Sequence, residues 1–403
     1  MNDKKPFNNF SNLAKAVELS SPSWDRAEQA GIINLNATLI EKNRYRLETG
    51  EEFLHLCSCS YLGLDSHPKV IEGAIKTIEK ENTSSWIATS RNRLKMTLLK
   101  EFEEALSSYY SVHALTATMC SAASAGLLPL IAAGLFTSGD RPIMIFDKSA
   151  HFSMAHMKAL CADETEVVSC SPNDIDFIEK LCQKHKTVCY VGDGVNSVGG
   201  AAVMDELLRL QEKYHLFLYL DDSHALAALG NKGYGYVRDY CPILNDRTIV
   251  VASLAKAFGT SGGLMMLGTE QQKQLTIRYG GPTLWSQGMN AAAIGSSLAV
   301  LDIHRTEELH RLQTKLYDNI KLFDSLIESP YKGNPFTIRL IEIGDDEKAI
   351  QTCKNLLKKG FYTSAVFFPI VRRGGAGLRV MLRADMEKQD IIRFSEALKK
   401  ELE

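Results

Sequence analysis

A lysine, an aspartate and a histidine each stand just after a short apolar run of the sequence. Residues 216–220 lead into Asp221 and His224, and residues 249–251 lead towards Lys256. Apolar runs of this length between polar turns are typical of buried strands in a parallel sheet. Open α/β sheets bind ligands at the carboxyl ends of their strands, so the pattern predicts an acid, an imidazole and an amine at one ligand-binding edge.

This set of side chains matches the needs of pyridoxal 5′-phosphate (PLP). The amine of Lys256 could form a Schiff base with the aldehyde of the cofactor, and Asp221 could pair with its pyridinium nitrogen. The sequence therefore predicts a PLP enzyme. The structural alternatives are that Asp221 only caps the following turn and that His224 is a core imidazole.

Composition excludes several other classes of protein. The chain has 403 residues, which exceeds one hydrophobic core and predicts a large domain with a smaller one. Its formal net charge of −2 gives no reason to expect nucleic acid or an anionic membrane as a partner. Residues 1–6 are polar, and the longest apolar stretch, near residues 126–136, is too short for a transmembrane segment.

The cysteines indicate a reducing compartment. The nine cysteines are scattered and odd in number, which favours buried thiols in a cytoplasmic protein over disulfides. Cys57 and Cys59 lack a second pair at metal-binding spacing, so no metal is expected.

Strands and helices are predicted to alternate from about residue 56 to residue 285. This alternation predicts an α/β fold with a mostly parallel sheet covered by helices on both faces. The predicted strands are 112–118, 142–147, 187–192, 216–221, 247–252 and 262–267, and the predicted helices include 67–80, 97–108, 122–134, 173–184 and 204–213.

The C-terminal part of the chain is predicted to be α+β. Domain boundaries are predicted at 1–55 for an N-terminal segment joining the small domain, 56–285 for the large domain, and 286–403 for a long linking helix and the C-terminal part. The elements predicted there are a hairpin at 43–54, a helical stretch at 287–327, strands at 337–343, 362–368 and 377–382, and helices at 346–359 and 387–402.

Short motifs occur along the chain in one order and at characteristic distances. They are Tyr-Leu-Gly-Leu at 61–64, Asp-x-x-x-His at 147–151, Asp-x-x-x-Ser at 193–197, Asp-x-x-His at 221–224, Ser-x-x-Lys-x-x-Gly at 253–259 and Gly-Leu-Arg at 377–379. In this set and order the chain resembles the α-oxoamine synthases, PLP-dependent enzymes of fold type I, over roughly residues 35–400. The resemblance implies a large PLP-binding α/β domain with a smaller domain made from both chain ends.

The resemblance also implies roles for the residues around the PLP ring. Lys256 would hold the cofactor and, once displaced, take the α-proton of the amino acid. Asp221 would keep the ring nitrogen protonated, and His224 would hydrogen-bond the phenolic oxygen. His151 would stack on the ring and could polarise the carbonyl group of the second substrate.

A further group of residues is implied in holding the cofactor phosphate and its surroundings. The backbone amides of Cys120 and Ser121 would bind the phosphate, together with the hydroxyl of Ser253; a simple helix N-cap is the alternative at this turn. Asp193 would orient His151 or another group beside the ring, and Ser197 would contact cofactor or substrate.

The substrate side is less well matched to the family. Arg379 is the expected partner of the amino acid's carboxylate, and Arg383 is an alternative. It is also open that both arginines are surface residues with no role in binding substrate. Thr283 is a candidate contact to the phosphate held by a neighbouring subunit. Cys59 replaces the family's asparagine, and residues 384–386 replace its Ala-x-His, which suggests a specialised pair of substrates.

The resemblance implies a homodimer with active sites at the interface. It implies a decarboxylative condensation of a small α-amino acid with an acyl thioester, either acyl-CoA or an acyl-carrier protein, to an α-aminoketone. Transamination and aldol cleavage remain open as alternatives. A non-enzymatic partner subunit of this family typically lacks the Schiff-base lysine, so Lys256 argues against that reading.

Overall fold

A computed structural model of the protein describes residue 10, residues 13–85 and residues 90–403. The described chain forms two compact units, one of residues 64–310 and one of the residues up to Gly63 together with Arg311–Glu403. These units are defined by spatial contacts, and the domain boundaries predicted near residues 56 and 286 remain predictions.

The strands are numbered in chain order. They are β1 (Ala37–Glu41), β2 (Arg44–Leu47), β3 (Glu52–His55), β4 (His113–Ala117), β5 (Ile143–Asp147), β6 (Val167–Cys170), β7 (Val188–Asp193), β8 (Phe217–Asp221), β9 (Thr248–Ser253), β10 (Gly263–Leu267), β11 (Ile338–Gly344), β12 (Phe361–Tyr362), β13 (Ser364–Val366) and β14 (Ala376–Met381).

The helices are numbered in the same way. They are α1 (Leu13–Gln29), α2 (Pro68–Glu81), α3 (Thr97–Tyr110), α4 (Cys120–Ala132), α5 (Phe152–Ala155), α6 (Lys158–Ala162), α7 (Ile175–Lys184), α8 (Met204–Tyr214), α9 (Tyr236–Tyr240), α10 (Glu270–Tyr279), α11 (Pro282–Trp285), α12 (Ala291–His304), α13 (Glu307–Leu326), α14 (Asp346–Lys358) and α15 (Lys388–Leu402). Of the helices that the structure describes, none is both long and apolar enough to cross a membrane.

The unit of residues 64–310 is built on one mixed sheet, with seven strands among the described residues in the order β4-β10-β9-β8-β7-β5-β6. Neighbouring strands from β9 to β6 run parallel, whereas β10 is antiparallel to both β9 and β4. Strands β5, β7, β8 and β10 are buried along their whole length. Burial of both strand faces explains the continuous apolar runs in the sequence, and the predicted mostly parallel α/β fold is confirmed.

Helix α4 packs its apolar surface against this sheet. Its buried Leu127 and Ile131 belong to one core cluster with Met144 of β5, Val251 of β9 and Met265 of β10. A helix that is apolar nearly all round is one enclosed by the protein. The packing fixes the beginning of α4 at the strand ends where the predicted ligand-binding edge lies.

Several local predictions differ from the structure. The long linking helix predicted from residue 286 is two helices, α12 and α13, separated at residues 305–306. Strand β6 was not predicted, because its four residues are mostly half-buried and lack a clear apolar run. Helix α4 begins at Cys120, two residues before the predicted position 122. The predicted strand 362–368 is two short strands in different sheets, since β12 pairs with β3 and β13 pairs with β14.

The other unit contains two small sheets, in the orders β1-β2-β3-β12 and β11-β14-β13 among the described residues. The predicted hairpin at 43–54 is confirmed by the antiparallel pairing of β2 with β3. All nine cysteines of the chain are free thiols, and those outside Cys57 and Cys59 are buried. A cytoplasmic location stays a prediction.

Candidate active site

Several predicted site residues of the unit of residues 64–310 follow strands that are neighbours in its sheet. His151 follows β5, Asp193 ends β7, Asp221 ends β8, and Ser253 ends β9 shortly before Lys256. Because β5, β7, β8 and β9 are adjacent and parallel, these residues share the carboxyl edge of the sheet. The strand order thus brings together residues that are up to 105 positions apart in the sequence, from His151 to Lys256.

Asp221 is buried and held by two different donors. The backbone N–H of Ser223 donates to its Oδ1 at 2.9 Å, and the thiol of Cys120 donates to its Oδ2 at 3.6 Å. Its side chain is oriented by these bonds and has 3% of its surface exposed. A carboxylate fixed in this way can accept a further proton donor in a defined direction.

Asp193 lies beside Asp221 and contacts the segment that carries His151. Its Oδ2 accepts the backbone N–H of His151 at 2.9 Å. Burial and the Asp221 carboxylate raise the pKa of Asp193 well above its ordinary value, whereas the His151 N–H and the Lys256 amine act in the opposite direction. Asp193 therefore positions His151 through the backbone of that residue.

His151 is the N-cap of α5, and its side chain is exposed. Its Nδ1 accepts the backbone N–H of Ser153 at 3.3 Å and lies 2.9 Å from the Ser153 hydroxyl. The cap fixes one ring nitrogen and leaves the imidazole at the protein surface, where a flat ligand could stack on it.

Lys256 lies in a tight turn after β9. The Ser253 hydroxyl accepts the Ala255 N–H at 3.2 Å, and the Lys256 carbonyl accepts the Gly259 N–H at 2.9 Å. Gly259 has a φ of +79°, and a Cβ there would lie 2.6 Å from the Cβ of Leu64. Glycine is thus required to close the turn that holds the lysine, which explains the Lys-x-x-Gly spacing.

The beginning of α4 offers unpaired backbone donors. Its N-cap, Met119, has extended backbone and makes no side-chain capping bond. The first N–H groups of a helix have no partner within the helix and bind anions readily. Gly263 of β10 lies directly behind this turn, since a Cβ on it would be 2.7 Å from the Cys120 nitrogen. Ser121 is exposed at the same turn.

A bonded series of residues links the start of α4, Asp221 and the lysine turn. The Ser253 N–H donates to Ser223 Oγ at 2.7 Å, and the Ser223 hydroxyl donates to Cys120 Sγ at 3.8 Å. Cys120 in turn contacts Asp221. An anion cradle, a proton-accepting carboxylate and an amine therefore lie together, and this set of groups fits the phosphate, the ring nitrogen and the aldehyde of PLP.

The turn after β8 depends on a buried carboxylate that the sequence did not single out. Asp222 Oδ2 accepts the N–H of Val237 at 3.1 Å, and a Cβ on Gly194 would lie 2.5 Å from Asp222 Oδ1. A Cβ on Gly235 would collide with Oδ2. The spaced glycines of this region leave room for Asp222, and His224 is buried in the same turn.

Ser197 and Thr283 are positioned differently from the groups above. Ser197 is half-buried in the loop closed by the bridge between Val195 and Ala201. Thr283 is buried, and a Cβ on Gly126 would collide with its Oγ1, so the hydroxyl faces the middle of α4 in its own chain. Its predicted contact with a neighbouring subunit's phosphate stays a prediction.

The two arginines of the other unit have different surroundings. Arg383 is fully buried; its Nε and Nη2 donate to the two carboxylate oxygens of Asp385 at 2.8 and 2.7 Å, and Nη1 donates to Ser58 at 3.1 Å. Arg379 is half-buried on β14. Arg383 is committed to Asp385, and the assignment of Arg379 to a substrate carboxylate stays a prediction.

Sequence reasoning missed Ser223, Asp222 and the side chain of Cys120. Ser223 and Asp222 lie inside the motif at 221–224, so their position next to two candidate residues was an available signal. The contact of the Cys120 thiol with Asp221 joins residues 101 apart in the sequence and gave no local signal.

The family model for aminotransferases of class I and II matches residues 51–398. The chain belongs to the aminotransferase class I and II family. It is 28% identical to the 8-amino-7-oxononanoate synthase of Thermoanaerobacter pseudethanolicus over 85% of this chain and 86% of that protein. The serine palmitoyltransferase of Bacteriovorax stolpii is 27% identical over 85% of this chain and 80% of its own. A mitochondrial 2-amino-3-ketobutyrate coenzyme A ligase of Mus musculus is 27% identical over 85% of this chain and 82% of that protein.

Solved structures agree with this family. A structure of serine palmitoyltransferase with a PLP internal aldimine superimposes with a TM-score of 0.84 at 18% identity, covering 96% of this chain and 98% of that one. The structure of 8-amino-7-oxononanoate synthase from Francisella tularensis superimposes with a TM-score of 0.71 at 18% identity, covering 87% of this chain and 97% of that one. The predicted PLP fold type I is confirmed, the predicted resemblance to the α-oxoamine synthases is confirmed by these relatives, and the protein is a PLP-dependent enzyme.

Proposed function

We propose that this enzyme condenses a small α-amino acid with an acyl thioester and releases carbon dioxide, giving an α-aminoketone. The observation that carries the proposal is the bonded series Ser253-Ser223-Cys120-Asp221, which brings together the lysine turn, the start of α4 and the buried carboxylate. The curated relatives named above support the reaction class. The proposed acyl donor is acyl-CoA or an acyl-carrier protein.

Each residue of the site is proposed to act on one atom or group. When bound, PLP supplies an electron sink for negative charge at the α-carbon of the amino acid. The Asp221 carboxylate accepts the ring N–H and so holds that proton in place. The first backbone amides of α4, with Ser253, bind the phosphate. His224 is proposed to donate to the phenolic oxygen.

The remaining groups are proposed to act on the substrates. Lys256 attaches the cofactor and, when released by the amino acid, removes the α-proton with its amine. Arg379 binds the amino acid's carboxylate through its planar guanidinium. His151 stacks on the ring and polarises the thioester carbonyl, while Asp193 fixes its backbone. The proposed assembly is a homodimer with active sites at the subunit interface.

The alternative is an aminotransferase or an aldolase reaction, because the family that matches this chain takes its name from aminotransferases. A panel of carboxyl-labelled amino acids, each with and without acyl-CoA thioesters of increasing chain length, separates these functions. We expect labelled carbon dioxide and free thiol in equal amounts, and only when both substrates are present. A Lys256→Ala variant is the negative control, and it should release neither labelled carbon dioxide nor free thiol.

Two results would contradict the proposal. Carbon dioxide released at the full turnover rate from an amino acid alone would identify a decarboxylase. A keto acid formed with the amino group left on the cofactor would identify an aminotransferase. If no acyl-CoA supports thiol release, the same panel with acyl-carrier-protein thioesters tests the second donor class.

A further inference from the structure

The side chain of Cys120 lies in a hydrogen-bonded series whose direction is fixed at both ends. At one end the Ser253 N–H can only donate, and it donates to Ser223 Oγ at 2.7 Å. At the other end an ionised Asp221 can only accept. The single hydrogen of the Ser223 hydroxyl is therefore directed to Cys120 Sγ, 3.8 Å away, and the thiol hydrogen is directed to Asp221 Oδ2, 3.6 Å away.

The thiol is well suited to be a permanent donor. Burial raises the pKa of Cys120 well above its ordinary value, and the neighbouring Asp221 carboxylate adds to that rise. Cys120 therefore keeps its hydrogen at physiological pH. Only 9% of the residue is exposed, so water does not readily replace it as the donor to Asp221.

The two donors to Asp221 act on different oxygens. The Ser223 N–H binds Oδ1 at 2.9 Å, and the Cys120 thiol binds Oδ2. Together they fix the rotation of the carboxylate about its Cβ–Cγ bond and withdraw some negative charge from it. A lone pair that remains on the carboxylate is then presented in one direction.

We propose that Cys120 is a positioning residue that sets the orientation and basicity of the carboxylate facing the ring nitrogen of the cofactor. The inference rests on the proposed role of Asp221. It differs from the predicted role of the Cys120 backbone amide, because here the side chain acts, and it acts through Asp221. In the same series Ser223 also links the lysine turn to this carboxylate.

The hydrogen bond itself is tested in the cofactor-free protein by infrared spectroscopy of the S–H stretch. The difference spectrum between wild type and Cys120→Val isolates the band of this one thiol. We expect that band at a lower frequency than the band of Cys161, a thiol in the same core cluster that is isolated by Cys161→Val. Asp221→Asn should move the Cys120 band towards the Cys161 position, because an amide oxygen is a weaker acceptor than a carboxylate.

The positioning role is tested by PLP affinity and by the pH titration of the cofactor's visible absorbance. Cys120→Val removes the donor and leaves an apolar side chain one atom larger, and the lost hydrogen bond to a charged group should weaken PLP binding by about tenfold or more and shift the titration. Cys120→Ser restores a donor and should stay close to wild type. Cys161→Val controls for replacing a buried thiol by valine, and should change neither property.

The outcomes separate this inference from the proposed function. Equal behaviour of Cys120→Val, Cys120→Ser and wild type would show that the thiol only packs. A Cys120 band at the Cys161 frequency in a protein that binds PLP would overturn the positioning role alone. A displaced band in a protein that binds no PLP would overturn the proposed function and the positioning role with it.

Discussion

Asp193 and Asp221 are opposite each other as the last residues of the neighbouring parallel strands β7 and β8. Both carboxyl groups are buried, and two buried carboxylates at one sheet edge cannot both be ionised without positive charge nearby. The pKa of Asp193 is accordingly raised by burial and by Asp221. Nearby positive charge would stabilise the ionised form of this pair, and the Lys256 amine and a protonated cofactor ring would supply it.

Lys256 is predicted to be the attachment point of PLP. Purified protein should be yellow, and borohydride reduction followed by peptide mapping should find the pyridoxyl group on this residue. Lys256→Ala should abolish turnover and leave nothing to be trapped by reduction, while Lys180→Ala, at an exposed position of α7, should behave like wild type. A wild-type protein that stays colourless after incubation with PLP would refute the prediction.

Asp221→Asn is expected to retain some cofactor but to lose turnover. An amide cannot stabilise a protonated ring nitrogen, and removing one preorganised electrostatic group typically costs about a hundredfold or more in kcat. Asp193→Asn is the matched control, since an amide oxygen can still accept the His151 N–H, and its activity should stay within about tenfold of wild type. Steady-state kinetics compare the two, and equal losses would show that Asp221 has no special role.

Asp222 should make the protein less stable as pH rises towards neutrality. Burial raises its pKa to about 7, with Asp221 adding to the rise and the Val237 N–H opposing it. In the unfolded chain an aspartate titrates near ~3.9, so between about pH 4 and pH 7 the folded state holds a proton that the unfolded state has released. Its contribution to stability therefore falls as pH increases through this window.

Asp222→Asn tests this sign. Urea unfolding midpoints at about pH 5 and about pH 8 should differ less in the variant than in wild type, because the amide does not titrate. Asp205→Asn, an exposed position in the first turn of α8, should leave the wild-type difference unchanged. A variant whose midpoint falls as steeply as that of wild type would assign the pH dependence to other groups.

Arg379→Ala should raise the KM for the amino acid by roughly ten- to a hundredfold, because a charge-assisted hydrogen bond contributes about 1.5–3 kcal/mol. The KM for the thioester should change little. Arg383→Ala should instead lower the melting temperature, since it leaves Asp385 without the partner that now binds both its oxygens. A change confined to the thioester KM would place Arg379 on the acyl-donor side.

The sequence predicted the main strands to within about a residue because their burial on both faces requires unbroken apolar runs. Strand β8 and the turn with Lys256 are examples, since each combines such a run with a polar motif at its end. The half-buried β6 has no such pattern and was missed. The sequence placed Asp193 and Asp221 at the same edge of the sheet. It did not give the order of the strands, so it could not predict that the two residues lie opposite each other.

Contacts between side chains from distant elements could not be predicted in this way. The Cys120 thiol reaches Asp221 only because α4 packs across the sheet, and the Thr283 hydroxyl faces Gly126 only because α11 lies against the same helix. Local sequence carries the type and spacing of residues, whereas packing of whole elements decides which side chains meet. The cofactor and family could be predicted, whereas the contacts of the Cys120 thiol and the Thr283 hydroxyl could not.

The antiparallel position of β10 has a consequence for how the protein is made. Among the strands that the structure describes, β4 is the first of this sheet along the chain and has only β10 beside it, and β10 is the last. On the ribosome, the start of α4, where the phosphate is proposed to bind, thus lacks the strand behind it until residues near 267 have emerged. A nascent chain that stops before β10 would hold the lysine turn without the strand behind the start of α4, so cofactor retention should report that the sheet of this unit is complete.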